Sequence, residues 1–103
     1  MLETFNSAVI MDQLLIGIIG EFDPGRPSHR ATDEALHHAA SRLSIDLTID
    51  WMPTPILADN AGQQTLQRFD ALWCAPGGQY ESISGALAAI RFAREQDWPF
   101  FAT

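Results

Sequence analysis

The segment Leu14-Leu-Ile-Gly-Ile-Ile-Gly20 is apolar at every position. A strand with one wet face alternates apolar and polar residues, whereas a strand covered on both faces is apolar throughout. The segment therefore predicts a strand inside a parallel sheet, with helices packed on both sides. No other part of the sequence restricts the fold as strongly.

Three further strands are predicted. The segment 45–51 alternates apolar and polar residues, which is typical of a strand with one wetter face at or near a sheet edge. The short apolar segments 70–75 and 98–103 predict the other two. The intervening segment 52–60 contains two prolines, so it is predicted to be irregular.

Helices are predicted between these strands. Ser28 is expected to cap a helix that runs to about Arg42, and 63–69 is expected to form a short helix. The helical spacing of apolar residues predicts an inward stripe on the first helix, made of Ala31, Ala35, Leu36, Ala39, Ala40 and Leu43. A helix over 81–96 is expected to face inward with Ile83, Leu87, Ile90 and Phe92 and outward with Arg91, Arg94 and Glu95.

The order of these elements predicts a doubly wound, mostly parallel sheet with helices on both faces, as in flavodoxin-like folds. Right-handed crossovers place the first helix on one face and the later helices on the other. Functional atoms of such folds lie at the carboxyl ends of the strands. The loops 21–28, 52–60 and 76–81 are therefore the candidate site.

Composition excludes several classes of protein. The chain has 103 residues, is 47% hydrophobic and carries a net charge of −7, so it is too apolar for a disordered acidic tail. Its single cysteine excludes an internal disulfide and favours a reducing, cytoplasmic compartment. Acidity argues against nucleic acid or an anionic membrane as partner. No basic residue precedes Arg26, which argues against a signal peptide.

Three segments resemble the glutaminase domain of CTP synthase, a class I (triad-type) glutamine amidotransferase. The first is Ile16-Gly-Ile-Ile-Gly-Glu-Phe22 with Thr32-Asp-Glu-Ala-Leu-His-His-Ala39. The second is Phe69-Asp-Ala-Leu-Trp-Cys-Ala-Pro-Gly-Gly78. The third is Ala89-Ile-Arg-Phe-Ala-Arg-Glu95 with Pro99-Phe-Phe-Ala-Thr103. The resemblance spans residues 14–103.

The resemblance implies an N-terminal extension over 1–13 and the N-terminal half of an amidotransferase-like domain over 14–103. In the family the nucleophilic cysteine follows the position of Thr103, and the catalytic His and Glu lie further on. A C-terminal half that carries this triad, in the same protein or a separate chain, would complete the domain. The chain alone is expected to be inactive. Proteolytic processing, a chemically modified cysteine and a shortened chain remain open as reasons for the end at Thr103.

The resemblance also assigns the site. It makes the backbone amide of Gly77 an oxyanion-hole donor and places Gly78 against the substrate, an amide such as glutamine. A glycine pair after a strand is also what an ordinary β-to-α turn requires. The next residues, Gln79 and Tyr80, are larger and more polar than the family's aromatic–glycine pair. A pocket modified by Gln79 and Tyr80 would accept another amide, or none.

The remaining chemical groups carry weaker signals. Arg26 and Arg30 bracket the first loop, where they could hold a carboxylate or phosphate, although solvation or pairing with Asp23 is the simpler use. Cys74 lies within an apolar strand, so it is interpreted as a packed, unreactive thiol. The spacing of the three histidines, and the absence of a G-x-G-x-x-G fingerprint, predict no metal and no cofactor.

Two alternatives to an amide-hydrolysing enzyme remain open. A non-catalytic binding or regulatory module on the same fold would explain the altered residues after Gly78. A free-standing flavodoxin-like or receiver-like domain is disfavoured, because 98–103 would leave a hydrophobic strand at the border of its sheet. An ammonia-accepting synthetase as partner and homo-oligomer formation are both left open.

Overall fold

The computed structural model describes residues 13–76 and 80–102. Four strands and three α-helices alternate along this part of the chain. The strands are β1 Gln13–Ile19, β2 Asp46–Met52, β3 Ala71–Cys74 and β4 Phe100–Ala102. The helices are α1 Pro27–Leu43, α2 Asn60–Leu66 and α3 Ile83–Glu95, and a 3-10 helix covers Thr54–Ala58.

The four strands form one parallel sheet in the order β2-β1-β3-β4. β1 lies inside the sheet, with Ile16 opposite both Ile49 of β2 and Ala71 of β3. Its four residues from Ile16 to Ile19 are buried, which confirms the prediction made from its uninterrupted apolar sequence. β2 lies at an edge, as its alternating pattern predicts.

The helices cover opposite faces of the sheet, as predicted. On one face α1 packs through Leu36 against Ile16, Ile18 and their neighbours in β2 and β3. On the other face the 3-10 helix, α2 and α3 enclose the larger core. Its fully buried members include Ile19, Leu57, Leu66, Phe69 and Leu72.

Two expectations about α1 are wrong. The helix begins at Pro27 and its N-cap is Arg26, which makes no side-chain capping hydrogen bond, so Ser28 lies inside the helix. Proline suits the first helical position, because its fixed φ is already helical and its missing N–H would have no partner there. The predicted stripe is only partly inward, since Leu36 is half-buried and Ala40 buried while Leu43 is 67% exposed.

The inward face of α3 also differs from the prediction. Phe92 is buried, but Ile83 and Leu87 are 60% and 54% exposed. The buried face instead consists of small residues together with Phe92, namely Gly85, Ala86, Ala89 and Ala93. Small side chains let α3 approach the 3-10 helix closely, and this contact displaces the larger residues to the flank. Arg91, Arg94 and Glu95 are exposed, as predicted.

The loop segment 52–60 is more regular than the sequence predicts. Pro55 lies in the first turn of the 3-10 helix, where a proline is tolerated, and Asp59 then caps α2 by accepting a hydrogen bond from the Gly62 N–H at 2.9 Å. This cap starts α2 at Asn60, three residues before the predicted start. Over the described residues, no helix is long and apolar enough to cross a membrane.

Candidate functional site

A hollow of about 190 Å³ lies at the carboxyl ends of the strands. It is formed where the loop after β1 meets the chain that follows β3. Its lining combines charged and aromatic side chains around one glycine, namely Gly20, Glu21, Phe22, Asp23, Arg26, His29, Tyr80 and Glu81. Parallel α/β folds bind ligands at this end of the sheet, so this hollow is the candidate site.

Gly20 forms the floor of the hollow and requires the absence of a side chain. Its φ is +154°, a conformation that L side chains rarely adopt, and a Cβ there would lie 2.9 Å from the Cβ of Ala75. Its N–H donates to the Met52 carbonyl at 2.9 Å, which extends the β1–β2 pairing by one residue. The chain can therefore leave β1 sharply and place Glu21 beneath the neighbouring loops.

The Glu21 carboxylate joins all three predicted loops. One oxygen accepts hydrogen bonds from the backbone N–H and, at 2.6 Å, from the hydroxyl of Thr54. The other accepts from the Glu81 N–H at 3.2 Å. Thr54 is fully buried, and its hydroxyl oxygen also accepts from the Ser82 N–H at 2.8 Å. A single carboxylate therefore fixes the loop after β1, the 3-10 helix and the start of α3 relative to one another.

These contacts set the charge state of Glu21. Partial burial opposes ionisation, but the hydrogen bonds from Thr54 and Glu81 outweigh it and hold the pKa of Glu21 below its ordinary value. The folded protein therefore favours the carboxylate. The stability that Glu21 contributes is fully present above its unfolded pKa and is lost as the pH falls through the lower folded pKa.

We expect Glu21→Gln to lower the free energy of unfolding by about 2 kcal/mol at neutral pH, because hydrogen bonds to a charged acceptor contribute about 1.5–3 kcal/mol. The amide keeps one acceptor oxygen but turns an NH₂ group toward an N–H donor. Urea unfolding should show that the difference from wild type shrinks as the pH falls below about 4.5, the ordinary pKa of the group. Glu34→Gln, on the exposed side of α1, is the matched control; a difference that grows in acid would contradict this account.

The turn that follows β3 is anchored at both of its ends. The Ala75 N–H donates to the Ile19 carbonyl at 3.0 Å, and the Tyr80 hydroxyl donates to the Ala75 carbonyl at 2.8 Å. Glu81 and Ser82 are held through Glu21 and Thr54. The predicted site residues Gly77, Gly78 and Gln79 lie between these anchors and outside the described residues.

Tyr80 and Cys74 meet beneath this turn. Burial, with a smaller effect from Cys74, raises the pKa of Tyr80 to about 12, so Tyr80 remains a neutral donor. Burial likewise raises the pKa of the Cys74 thiol, against a smaller opposite effect of its hydrogen bond with Tyr80. Cys74 is 5% exposed, which confirms the prediction of a packed cysteine. A buried, protonated thiol is a poor nucleophile.

The structure separates the two arginines that were predicted together. Arg26 lines the hollow, and its Nε lies 3.9 Å from a carboxylate oxygen of Asp23, the local acidic partner anticipated from the sequence. Arg30 does not line the hollow; it donates to the Pro24 carbonyl at 2.6 Å and holds the loop closed from outside. Arg26 is therefore the better candidate for contact with a ligand.

His29 closes the wall of the hollow. It is 3% exposed, and its Nδ1 accepts from the Asp23 N–H at 3.0 Å. Its ring centre lies 4.7 Å from that of Trp51 and 6.1 Å from that of Phe22. His37 and His38 lie exposed on α1. Over residues 13–76 and 80–102, no three side chains of the types that bind metals come together as a possible site.

Glu21, Thr54 and His29 were not predicted from the sequence as site residues. A signal was available for Glu21, since it is the first charged residue after an uninterrupted apolar strand and lies where such folds keep their functional groups. Thr54 follows a proline and His29 lies inside a helix, and neither position marks a contact with another loop.

A larger hollow of about 450 Å³ lies at the opposite, amino-terminal end of the strands. It is broad and open, and Asp46, Thr48, Arg68 and Asp70 are among its lining residues. Arg68 pairs with Asp50 there, and a carboxylate oxygen of Asp70 accepts from the Leu15 N–H at 2.8 Å. These groups tie loops to strands, so the smaller hollow remains the candidate site.

Comparison with known proteins agrees with the observed fold. The chain is 36% identical over 87 residues to CTP synthase of Methanothermobacter thermautotrophicus and 28% identical over 89 residues to that of Staphylococcus carnosus. These matches cover 84% and 86% of this chain but only 16% of each relative. No family model matches the chain.

A solved structure shares the fold. It is described as the glutaminase domain of Trypanosoma brucei CTPS with bound acivicin, and it superimposes with a TM-score of 0.74 at 18% identity. The match covers 86% of this chain and 35% of the solved chain. The chain is therefore homologous to a segment of the CTP synthases, and its parallel α/β fold is that of the glutaminase domain of these enzymes.

Proposed function

We propose that this chain is part of a class I glutamine amidotransferase-like hydrolase. The substrate is the amide of glutamine or of a related compound, and the chain contributes the turn whose Gly77 amide stabilises the oxyanion. Gly78, Gln79, Tyr80 and Arg26 face the substrate, while Arg30 positions the loop beside it. The nucleophilic cysteine, expected after Thr103, and the rest of the triad come from the C-terminal half of the domain.

The observation that carries this proposal is the three-loop bridge of Glu21. An oxyanion hole stabilises a transition state only when its N–H donors are fixed before the reaction begins. Glu21 holds Glu81, and the Tyr80 hydroxyl holds Ala75, so both ends of the turn that contains Gly77 are fixed by described contacts. A turn used only to connect a strand with a helix would not require a half-buried carboxylate at its base.

The reaction requires residues of this chain and residues of the C-terminal half that completes the domain. A thiolate attacks the amide carbon and the carbonyl oxygen becomes negatively charged. The triad's histidine, having taken the thiol proton, gives it to the leaving nitrogen, so that ammonia leaves as the thioester forms. Water then hydrolyses the thioester and releases the carboxylic acid. Cys74 is buried within β3, so the nucleophile is supplied from outside the described residues.

The dimensions of the hollow agree with a small substrate. A volume of about 190 Å³ is below the ~300–1,000 Å³ of pockets for drug-sized ligands. Arg26 offers a cation to a substrate carboxylate, and Tyr80 and Phe22 offer aromatic surface. The substitution of Gln79 and Tyr80 for the family's smaller pair supports a substrate that differs from glutamine itself.

One observation favours the alternative of a non-catalytic binding module. The Tyr80 hydroxyl is committed to the Ala75 carbonyl at 2.8 Å, so it closes the turn and is not directed to a ligand. A regulatory module would retain such a turn as a rigid binding edge without requiring a nucleophile.

Ammonia release tests the proposal. The assay uses the intact protein, purified together with every polypeptide segment that is translated with this chain. We expect ammonia from L-glutamine or a related amide, and loss of the activity after treatment with iodoacetamide or acivicin. An intact-mass measurement on the same sample shows whether the chain is joined to its second half, bound to it or alone. A folded protein that binds glutamine but releases no ammonia would establish the binding module instead. Ammonia that appears only with an acceptor present would indicate a partner synthetase.

A further inference from the structure

His29 is a buried polar side chain in the wall of the hollow, which it lines together with Arg26 and Glu81. The Asp23 N–H donates to its Nδ1 at 3.0 Å, so Nδ1 carries no hydrogen and the ring proton lies on Nε2. Across residues 13–76 and 80–102, no group accepts a hydrogen bond from this Nε2–H. Buried donors in folded proteins almost always have a partner. A bound molecule in the hollow would supply the acceptor.

Aromatic packing fixes the orientation of the imidazole. Its ring contacts those of Trp51 and Phe22, and the Trp51 and Phe22 ring centres are themselves 5.0 Å apart. Trp51 is held in turn, because its indole N–H donates to a carboxylate oxygen of Asp33 at 2.9 Å. The Nε2–H is therefore fixed before a ligand binds, and a donor fixed in advance loses little conformational entropy on binding.

The charges around the hollow restrict the group that Nε2–H can bind. Arg26 places a cation in the same lining, and an N–H donor beside a guanidinium suits a carboxylate. The carboxylates of Glu21, Asp23 and Glu81 also line the hollow, so they would repel a doubly charged phosphate more strongly than a singly charged group. A single carboxylate is therefore the group that fits this lining best.

We propose that His29 is a substrate-binding residue whose Nε2–H donates to a carboxylate of the substrate. The turn proposed to stabilise the oxyanion ends at Tyr80, which lines the same hollow, so the amide and the carboxylate belong to opposite ends of one small molecule. An amide that lacks the carboxylate would leave the Nε2–H unpaired and would bind more weakly. The inference rests on the proposed function only in identifying the ligand as the substrate.

Nitrogen NMR of the intact protein, with isotope-labelled histidines, tests this contact. The probe is glutarate, a dicarboxylate with the carbon chain length of glutamine that cannot be hydrolysed. We expect glutarate to shift the Nε2 resonance of His29 and to slow the exchange of its proton with water. The signals of His37 and His38, which are exposed on α1, should not change. A His29 Nε2 signal that does not move at saturating glutarate, or no binding of glutarate at all, would overturn the inference.

Two substitutions separate ligand binding from packing. His29→Gln keeps an N–H donor near the position of Nε2, whereas His29→Asn keeps an acceptor near that of Nδ1 and loses the donor; both remove the ring. We expect the affinity for glutarate, measured by titration calorimetry, to fall about tenfold or more in His29→Asn and to stay within about threefold of wild type in His29→Gln. Equal losses in both variants would assign His29 to packing alone and overturn the inference.

The two tests also separate this inference from the proposed function. The NMR measurement uses wild-type protein, so it decides the question even if a variant fails to fold. Glutarate binding through Nε2 in a protein that releases no ammonia would retain this inference and refute the proposed hydrolysis. Ammonia release from glutamine, with equal effects of the two substitutions on glutarate binding, would do the reverse.

Discussion

Gly85→Ala is expected to destabilise the protein by about 3–4 kcal/mol, a large part of the 5–15 kcal/mol by which ordinary domains are stable. A Cβ on Gly85 would lie 1.9 Å from the Thr54 carbonyl oxygen and 2.8 Å from its carbon. Both are backbone atoms of the 3-10 helix and cannot rotate away. α3 would have to move outward, which would weaken the Ser82–Thr54 hydrogen bond and the packing of Ala89 and Phe92.

The sign of this effect makes the test decisive. In an exposed helix, replacing glycine with alanine stabilises by about 1 kcal/mol through helix propensity. Urea unfolding of Gly85→Ala would therefore show stabilisation if α3 did not approach Thr54. Gly25→Ala is the matched control, since a Cβ there would meet only the side-chain oxygen of Asp23, at 3.2 Å in an exposed loop. We expect that change to lie within about 0.5 kcal/mol of wild type.

The close approach at Gly85 also explains why two of the four residues predicted to face inward on α3, Ile83 and Leu87, are exposed, whereas Ile90 and Phe92 pack on the core as predicted. A hydrophobic pattern assigns large apolar residues to the core, and Ile83 and Leu87 are among the largest on the helix. The structure buries Gly85, Ala86 and Ala89 instead, because backbone-to-backbone contact leaves no room for larger side chains. Sequence pattern measures how apolar a residue is but does not reveal the distance between two elements.

The strands were predicted more successfully than the helices. An uninterrupted apolar run such as 14–20 has few alternatives to a buried parallel strand, and the alternation of 45–51 has few alternatives to an edge. Helix ends depend on single residues, and Pro27 and Asp59 determined them where Ser28 and Gln63 were expected. Helix ends can therefore be predicted from capping residues, but only when each possible capping residue is compared with its neighbours.

The sequence predicted which loops meet at this edge of the sheet, but not the contacts that join them. The rule that functional groups gather at the carboxyl ends of parallel strands located all three loops. The bridge through Glu21 could not be predicted, because Glu21 lies 33 positions before Thr54 and 60 positions before Glu81 in the sequence. Arg26 lines the hollow and Arg30 supports the loop from outside, and contact of either residue with a substrate stays a prediction.

The oxyanion role proposed for Gly77 leads to the second large effect. Gly77→Pro removes the only N–H of that residue, and the loss of one oxyanion donor typically lowers kcat by about 100- to 1,000-fold. Gly77→Ala retains the N–H and serves as the control for local disturbance of the turn. KM should change much less than kcat, because the N–H acts on charge that develops only in the transition state.

The function proposed for this chain is to supply the oxyanion-hole turn of an amide hydrolase. Its most direct test is the rate of ammonia release from glutamine or a related amide by the intact protein, comparing wild type, Gly77→Ala and Gly77→Pro at matched folded fractions. The account predicts release by wild type and a fall in kcat of about 100-fold or more from Gly77→Ala to Gly77→Pro. Equal rates in the two variants, or no ammonia from folded wild-type protein, would contradict it.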